Sequence, residues 1–547
     1  MDLVLVGLPG SGKSVVGRRL AQRHSARYID LDQVIEQTDG RSIPTIFEED
    51  GEPAFRAMER AAVAGLGPPD PDDAVRRVIA SGGGTVVDPR NRWALYRGRL
   101  AVWLDGRPEV LAQRLRRSPN VRPLIVGRDP VGAVRDLATK RERFYAAATV
   151  RINGVPEVHG VLDGVEAAID APRGTATRLL DAETKIGRYV LGEGIAVAET
   201  AASLRRVGAQ RAILVSEPGA WTAAGAAIAD GLAADRWPVE HVLLPQGEDA
   251  KRLAVVEEAA RELARLRVDR SEPIVAIGGG ALGDAAGFLA ATYLRGIPIL
   301  HVPTTLVAQI DSSLGGKTGV DLPEGKNLVG AFHQPAAVVI DVALLSTLPE
   351  RERRAALGEA VKMAVLGDER LFALLEADGE AIARGDPDAF DQGRVAELVE
   401  RAGWAKVEIV SADERERVAN GGRITLNLGH SIGHAVEAAA GYRDLLHGEA
   451  VAYGLRAACA VGEAVGVTPP DRARRVRQLL EGLALATTPL PYSLETVLDH
   501  LAADKKHAAG QLRWVLPAES GVEVRADVPL ETVRQAAGEL LAAGSPA

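Results

Sequence analysis

Short apolar runs recur along the chain up to about residue 345: Leu3–Val6, Leu100–Leu104, Ala212–Val215, Ile274–Ile277, Ile299–Val302 and Ala337–Ile340. Helical patterns separate them. Alternation of this kind predicts parallel sheets joined by crossover helices. From about Pro349 the pattern turns mainly helical, as in "RERRAALGEAVKMAVL" and "GEAVAYGLRAACAVGEAVG". The stretch "DAPRGTATRLLDAET" has weak periodicity and several turn residues. We therefore expect an α/β domain over 1–168, a linker over 169–183, a second α/β domain over 184–345 and a helical domain over 346–547. "GPPDPDDAV" (67–75) reads as a loop inside the first domain, and no internal repeat is evident.

Length supports several domains, because 547 residues exceed what one core holds. The net charge of −9 argues against a nucleic-acid binder, which usually carries a basic domain. Cys459 is the only cysteine, so neither an intrachain disulfide nor a cysteine zinc cluster can form. The N-terminus lacks a basic leader and no apolar run is long enough to span a bilayer, so a cytoplasmic protein with no membrane partner is expected.

"GLPGSGKS", Gly7 to Ser14, fits the phosphate-loop pattern G-x-x-x-x-G-K-S between a strand-like run and a helical one. Backbone N–H groups of Gly10, Ser11 and Gly12 would surround the phosphates of ATP. Lys13 would reach the terminal phosphates and Ser14 would hold Mg²⁺. Six motifs follow in order: the loop itself, "YIDLDQVIE", "FRAMER", "SGGGTVV", "NVRPLI" and "KRERFY". With them residues 1–165 closely resemble shikimate kinase, a P-loop fold with a parallel sheet and flanking helices. The resemblance implies that Asp32 binds ring hydroxyls and acts as base or orienter for the attacking one. It implies that Arg56 and Arg141 clamp the substrate carboxylate beside Gly82, Gly83 and Gly84, and that Arg122, on a lid, meets the transferring phosphoryl. Guanidinium forks suit a carboxylate, and phosphoryl transfer asks mainly for positioning and charge neutralisation.

The second half carries different chemistry. "IVAIGGGALGD" places a buried strand before Gly278–Gly283, a spacing that fits a dinucleotide fingerprint. No acidic residue stands about 20 positions on to take a ribose; Asp284 follows the glycines instead. Thr304, Thr305, Asp311, Lys317, Lys326 and Asn327 then form a dense polar set, suited to a phosphorylated, polyhydroxylated substrate. Farther on, "GHSIGHAVEAAAGYRDLLHGEAV" holds His430, His434 and His447, the first two at i and i+4 on one helix face. With Glu359 of "LGEAVKMAV", one Glu and two His would make a three-ligand site with an open position, as catalytic zinc prefers.

Over about 184–540 the chain resembles 3-dehydroquinate synthase, through "GGGALGD", "AATYLRG", "PTTLVAQIDSSLGGKTGV", "GKN", "GEAVK", "LNLGHSIGHA", "HGEAV" and "DKKH". The resemblance implies a Rossmann-like α/β domain followed by a mainly helical one. It implies Glu359, His430 and His447 as ligands of Zn²⁺ or Co²⁺, with His434 a nearby proton-handling residue. Asp311, Lys317, Lys362, Arg423 and Asn427 would bind substrate, with Arg295 and Lys326–Asn327 near its phosphate and carboxylate; Lys317, Lys362 and Arg295 join His434 among the expected catalytic groups. NAD would lie along Gly279, Gly280 and Asp284, helped by Glu248, Lys251, Thr304 and Thr305. Glu217, in "VSEPG", stands where the family usually has Asp, and "DERERVANGGR" (413–423) is longer than usual.

The family's reaction uses these parts in sequence. Metal-assisted hydride transfer from 3-deoxy-arabino-heptulosonate 7-phosphate to NAD acidifies the neighbouring C–H, and phosphate leaves by elimination. The hydride returns, the ring opens and an aldol step closes the carbocycle. The expectation is thus a bifunctional, homodimeric enzyme of the shikimate pathway with small-molecule substrates. A metal-dependent polyol or alcohol dehydrogenase would explain the glycines and histidines but not the lysine–asparagine set. A purely nucleotide-sensing first domain would have no use for the Asp32–Arg56–Arg141 set.

Overall fold

The computed structural model describes residues 1–70, 72–117, 129–153, 158–171, 174, 176–418, 421–507 and 512–542. The chain divides into two compact units, Met1–Glu183 with Arg188–Ile195, and Thr184–Gly187 with Ala196–Ala547. The segments 184–345 and 346–547, expected as separate domains, mostly fall in one unit.

In the first unit, strands β1 (Asp2–Val6), β2 (Arg27–Asp30), β3 (Arg77–Ala80), β4 (Leu100–Asp105) and β5 (Val150–Asn153) form a parallel sheet in the order β2-β3-β1-β4-β5. β1 is buried throughout because both faces are covered, which is why it reads as a continuous apolar run. Leu3 and Leu5 pack with Val16 and Leu20 of the helix Lys13–Arg23 and with Leu162 and Val165 of the helix Val158–Asp170. The carboxyl end of central β1, where ligands settle in such sheets, opens directly into the phosphate loop.

The segment expected to be a linker is not one throughout. It contains the end of the helix Val158–Asp170 and most of strand β6 (Thr177–Thr184), which β7 (Gly187–Glu193) follows. Leu179, Leu180 and Ala182 are buried there. Three apolar residues among polar ones are too few to display a period.

In the second unit, β8 (Ala212–Ser216), β9 (Val239–Leu243), β10 (Ile274–Gly278), β11 (Ile299–Pro303) and β14 (Ala337–Asp341) run parallel in the order β14-β11-β10-β8-β9. The side chains of Ile274 and Ala276 join Leu282 and Ala286 of the helix Gly280–Thr292 and Val256 and Leu263 of the helix Leu253–Arg265 in one core. Between β11 and β14 lies an antiparallel pair that the periodicity did not predict, β12 (Lys317–Leu322) and β13 (Gly325–Phe332). The remainder is mainly helical, as expected, with a small two-stranded sheet at Trp514–Pro517 and Val522–Arg525.

Two glycine seams bring the functional helices together. A Cβ on Gly358 would lie 2.2 Å from the Gly448 oxygen, so the helices Glu350–Val365 and His447–Ala464 touch backbone to backbone. A Cβ on Gly454 would lie 1.7 Å from the Gly429 oxygen, which draws the helix His430–Ala439 onto the same partner. These contacts put Glu359, His430 and His447 within reach of one another.

Candidate active sites

The phosphate loop turns on residues with positive φ: Gly7 at 144°, Gly10 at 83° and Gly12 at 96°. Such backbone favours glycine and points N–H groups inward. The Lys13 ammonium folds back, donating to the Gly7 oxygen at 2.7 Å and the Leu8 oxygen at 3.1 Å. Ser14 donates to Asp30 at 3.0 Å, and so does Tyr28 at 2.8 Å. Burial, reinforced by Asp30, pushes the Tyr28 phenol upward and keeps it a donor.

A cavity of about 1150 Å³ joins this loop to the expected acceptor site; Lys13, Ser14, Asp32, Gly83 and Arg114 are among its lining residues. Asp32, Arg56 and Arg141 converge on the Gly82–Gly84 run. A Cβ on Gly82 would lie 2.7 Å from Asp32 Oδ1, and one on Gly84 2.8 Å from Arg56 Nη1. Arg141 Nη1 donates to the Gly83 oxygen at 2.8 Å. Arg122 lies outside the described residues.

Sequence reasoning missed Glu59, which is 1% exposed. It accepts from Arg56 at 2.8 Å and from Thr85 at 2.7 Å. Burial raises its pKa despite these partners, while Arg56 is held above its ordinary value because Glu59 and Glu52 outweigh its own burial. The available signal was spacing: Arg56 and Glu59 of "FRAMER" stand at i and i+3.

In the second unit the donors expected to hold a metal are gathered. Glu359 Oε1 lies 3.1 Å from His447 Nε2 and 3.5 Å from His430 Nε2. Two ligands about 2.0–2.1 Å from one tetrahedral cation stand about 3.4 Å apart, so this group fits a small divalent ion. His434 joins them: ligand atoms of the three histidines lie within 4.8 Å of one another. His434 is the exposed member, open to solvent, yet the atoms packed around it and then His430 and His447 push its pKa down to about 3. Hydrogen bonds to Glu359 and Glu437 overcome burial at His447 and raise it to about 10.

Lys362 stands beneath this group, 2.5 Å from Glu359 Oε2 and 3.6 Å from Asp311 Oδ1. Burial favours neutral Glu359, but Lys362 and then His430 hold its carboxyl well below the usual range. Lys406, which sequence reasoning missed, lies 2.9 Å from Asp311 Oδ1 and belongs to the helix Arg394–Ala412.

The substrate set is split between two places. Lys317 lies 2.7 Å from Glu416, to which Asn427 also donates at 3.3 Å. Glu416 belongs to the longer loop and has a left-handed φ of 54°. Arg423 donates to the Glu414 oxygen of the same loop at 2.7 Å. Lys326 and Asn327 sit instead with the dinucleotide residues. Lys251 donates to Asp284 at 2.9 Å and to Asn327 at 2.5 Å, and Lys326 lies 3.2 Å from Glu248. Thr304 N–H donates to the Gly278 oxygen at 3.0 Å, and a Cβ on Gly279 would meet Thr305 at 3.2 Å and Glu217 at 3.8 Å. Gly280 opens the helix Gly280–Thr292.

Arg295 stands apart from these residues within its own chain. Helix Gly280–Thr292 separates it from the glycine turn, and at about 1.5 Å per residue that helix is about 20 Å long. Its side chain is exposed, and no described contact links it to the site residues of its own chain.

Comparison with known proteins agrees with this geometry. Residues 9–158 match the shikimate kinase family model, 241–355 that of 3-dehydroquinate synthase N-terminal and 356–507 that of 3-dehydroquinate synthase C-terminal. The 3-dehydroquinate synthase of Solibacter usitatus (strain Ellin6076) is 44% identical over 312 residues, 57% of this chain and 84% of its own length. The chain belongs to the 3-dehydroquinate synthase family. A shikimate kinase domain precedes the synthase, and both are enzyme domains. The 3-dehydroquinate synthase of Picosynechococcus sp. (strain ATCC 27264 / PCC 7002 / PR-6) is 40% identical over 353 residues, 62% of this chain and 94% of its own. Among solved structures, 2-epi-5-epi-valiolone synthase from Streptomyces hygroscopicus subsp. jinggangensis 5008, with NAD⁺ and Zn²⁺ bound, has a TM-score of 0.59 and 27% identity, covering 66% of this chain and 98% of that one. A 2-deoxy-scyllo-inosose synthase complexed with carbaglucose-6-phosphate, NAD⁺ and Co²⁺ has a TM-score of 0.57 and 25% identity, covering 67% and 100%. Among the described residues no helix is long and apolar enough to cross a membrane.

Proposed function

We propose that the chain catalyses two reactions: ATP-dependent phosphorylation of shikimate to shikimate 3-phosphate, and conversion of 3-deoxy-arabino-heptulosonate 7-phosphate to 3-dehydroquinate and phosphate. The observation that carries the synthase reading is the approach of Glu359 to both His430 and His447, with Lys362 and Asp311 beneath it.

In the kinase, Lys13 exchanges the carbonyls of its own loop for the terminal phosphates of ATP. Ser14, oriented by Asp30, serves Mg²⁺. Arg56, braced by Glu59, and Arg141, braced by the Gly83 oxygen, hold the shikimate carboxylate. Asp32 orients the attacking hydroxyl and receives its proton, and the family resemblance assigns the transferring phosphoryl to Arg122.

In the synthase, Glu359, His430 and His447 would hold Zn²⁺ or Co²⁺. Gly279, Gly280, Asp284, Glu248, Lys251, Thr304 and Thr305 would hold NAD. When bound, the metal polarises the substrate oxygens and NAD accepts and returns a hydride. Lys362 and Lys406 keep Asp311 ionised against burial, which lets it accept from substrate hydroxyls. His434, beside the ligand group, is the residue that the family resemblance assigns to proton handling. Lys317, Asn427 and Arg423 bind the anionic substrate after Glu416 releases the first two, and Lys326 and Asn327 bind at the nucleotide side. The use of ATP and NAD supports a cytoplasmic setting.

The test is product analysis of the purified full chain, given shikimate with MgATP in one reaction and the heptulosonate phosphate with NAD and Zn²⁺ in another. Shikimate 3-phosphate and 3-dehydroquinate are the expected products. Absence of either from a folded, metal-replete protein removes that half of the reading.

A further inference from the structure

Glu437 lies outside every role assigned above, although it is 3% exposed and sits at the heart of the second unit. It follows His430 and His434 on the helix His430–Ala439 at i+7 and i+3, so all three share one helix face. Its two carboxylate oxygens serve different partners. Oε2 lies 3.1 Å from His447 Nδ1, while the opposite ring nitrogen of His447 faces Glu359. Oε1 accepts from Lys326 Nζ at 2.9 Å. Lys326 also lies 3.2 Å from Glu248 and 4.7 Å above the Tyr442 ring.

We propose that Glu437 is a positioning residue that orients the His447 ring for metal and tethers Lys326 at the nucleotide side of the same site. The proposal rests on the metal-dependent synthase reading. A ligating imidazole needs its second nitrogen held, because that bond sets both tautomer and ring angle, and a carboxylate partner makes the imidazole a better donor. The second oxygen would otherwise be a buried acceptor without its counter-charge; Lys326 supplies it. One carboxylate thus ties a group on the metal side to a group on the substrate and cofactor side.

The experiment uses the full chain stripped of metal and compares wild type, Glu437→Gln, Lys326→Met and the double variant. Zn²⁺ affinity is measured by chelator competition, and the Co²⁺-loaded forms are compared by visible absorption. Glu437→Gln should weaken Zn²⁺ by roughly 10–100-fold and shift the Co²⁺ bands. Lys326→Met should leave Zn²⁺ affinity within about threefold of wild type and the bands unmoved, because it touches no ligand. At saturating metal, each single variant should raise KM for the heptulosonate phosphate, and the double variant should raise it less than the product of the two, as expected of residues in contact. Wild-type Zn²⁺ affinity and an unshifted Co²⁺ spectrum in Glu437→Gln would overturn the orienting role. Multiplicative KM effects would overturn the tether. A wild-type chain that binds no Zn²⁺ would remove the metal-dependent reading itself and the inference with it.

Discussion

Lys406 grips Asp311 twice: its ammonium lies 2.9 Å from the Oδ1 atom and donates to the main-chain oxygen of the same residue at 2.8 Å. Burial presses the Lys406 pKa down against the pull of Asp311. Replacing Lys406 with Met leaves Asp311 with Lys362, 3.6 Å away, as its described counter-charge. Loss of one preorganised charge at a reacting centre typically costs about 10²–10³ in rate. Lys406→Met should lower synthase kcat/KM by that order while metal content, measured by elemental analysis, stays near one ion per chain.

The kinase and synthase activities should separate. Lys13→Met removes the ammonium that meets the phosphates and should abolish shikimate phosphorylation, while phosphate release from the heptulosonate stays within about twofold of wild type. A fall in both activities in a folded protein would contradict independent sites.

Glu59 should act through Arg56. Glu59→Gln keeps the size of the side chain but weakens the ion pair that aims the guanidinium. KM for shikimate should rise by about 10-fold, roughly the 1.4 kcal/mol expected of a weakened charged hydrogen bond, with KM for ATP unchanged. Steady-state kinetics with each substrate varied separately checks this.

Glu416 engages Lys317 and Asn427, so it competes with an incoming anion. Glu416→Ala should lower KM for the heptulosonate phosphate and strengthen inhibition by inorganic phosphate, each by several-fold, since about 1 kcal/mol of competing contact is removed. An unchanged KM would mean that the loop carboxylate does not oppose binding.

The Arg211–Glu272 pair should make the synthase unit pH-sensitive. Hydrogen bonding from Arg211 lowers the Glu272 pKa below its ordinary value, so the pair's stabilisation is present above about pH 4.3 and is lost as pH falls through the lowered folded-state pKa. Glu272→Gln should melt below wild type at pH 7, with the gap narrowing as the pH falls into the acid range and the carboxylate is protonated.

Much of the site was readable because its residues stand in contiguous motifs. The phosphate loop, the glycine turn after β10 and the histidine helix are each shaped by local backbone geometry, and local geometry is written in adjacent residues. Glu437, Lys406 and Glu416 were not readable in this way. Glu437 acquires its role when Gly429 meets Gly454, Lys406 when the helix Arg394–Ala412 packs beside Asp311, and Glu416 when its loop folds back on Lys317, and no local periodicity reports such contacts. β6 escaped notice because buried Leu179, Leu180 and Ala182 lie among polar neighbours without a visible period.

The ligand set has its own test. His430→Ala and His447→Ala should each empty the metal site, while His434→Ala should retain metal at saturating Zn²⁺ and lose turnover by about 10²–10⁴, the usual contribution of a proton-transfer group. Retention of metal by His447→Ala together with its loss from His434→Ala would make His430 and His434 the chelating pair.

The central claim is that the second half recycles NAD during a phosphate-eliminating ring closure, as distinct from the net oxidation performed by a metal-dependent dehydrogenase. The most direct measurement follows phosphate and NADH together as the purified chain acts on 3-deoxy-arabino-heptulosonate 7-phosphate with substoichiometric NAD and saturating Zn²⁺. The account predicts phosphate in large molar excess over NAD, an equal amount of 3-dehydroquinate and no net NADH. NADH accumulating in step with substrate consumed, without phosphate release, would contradict it.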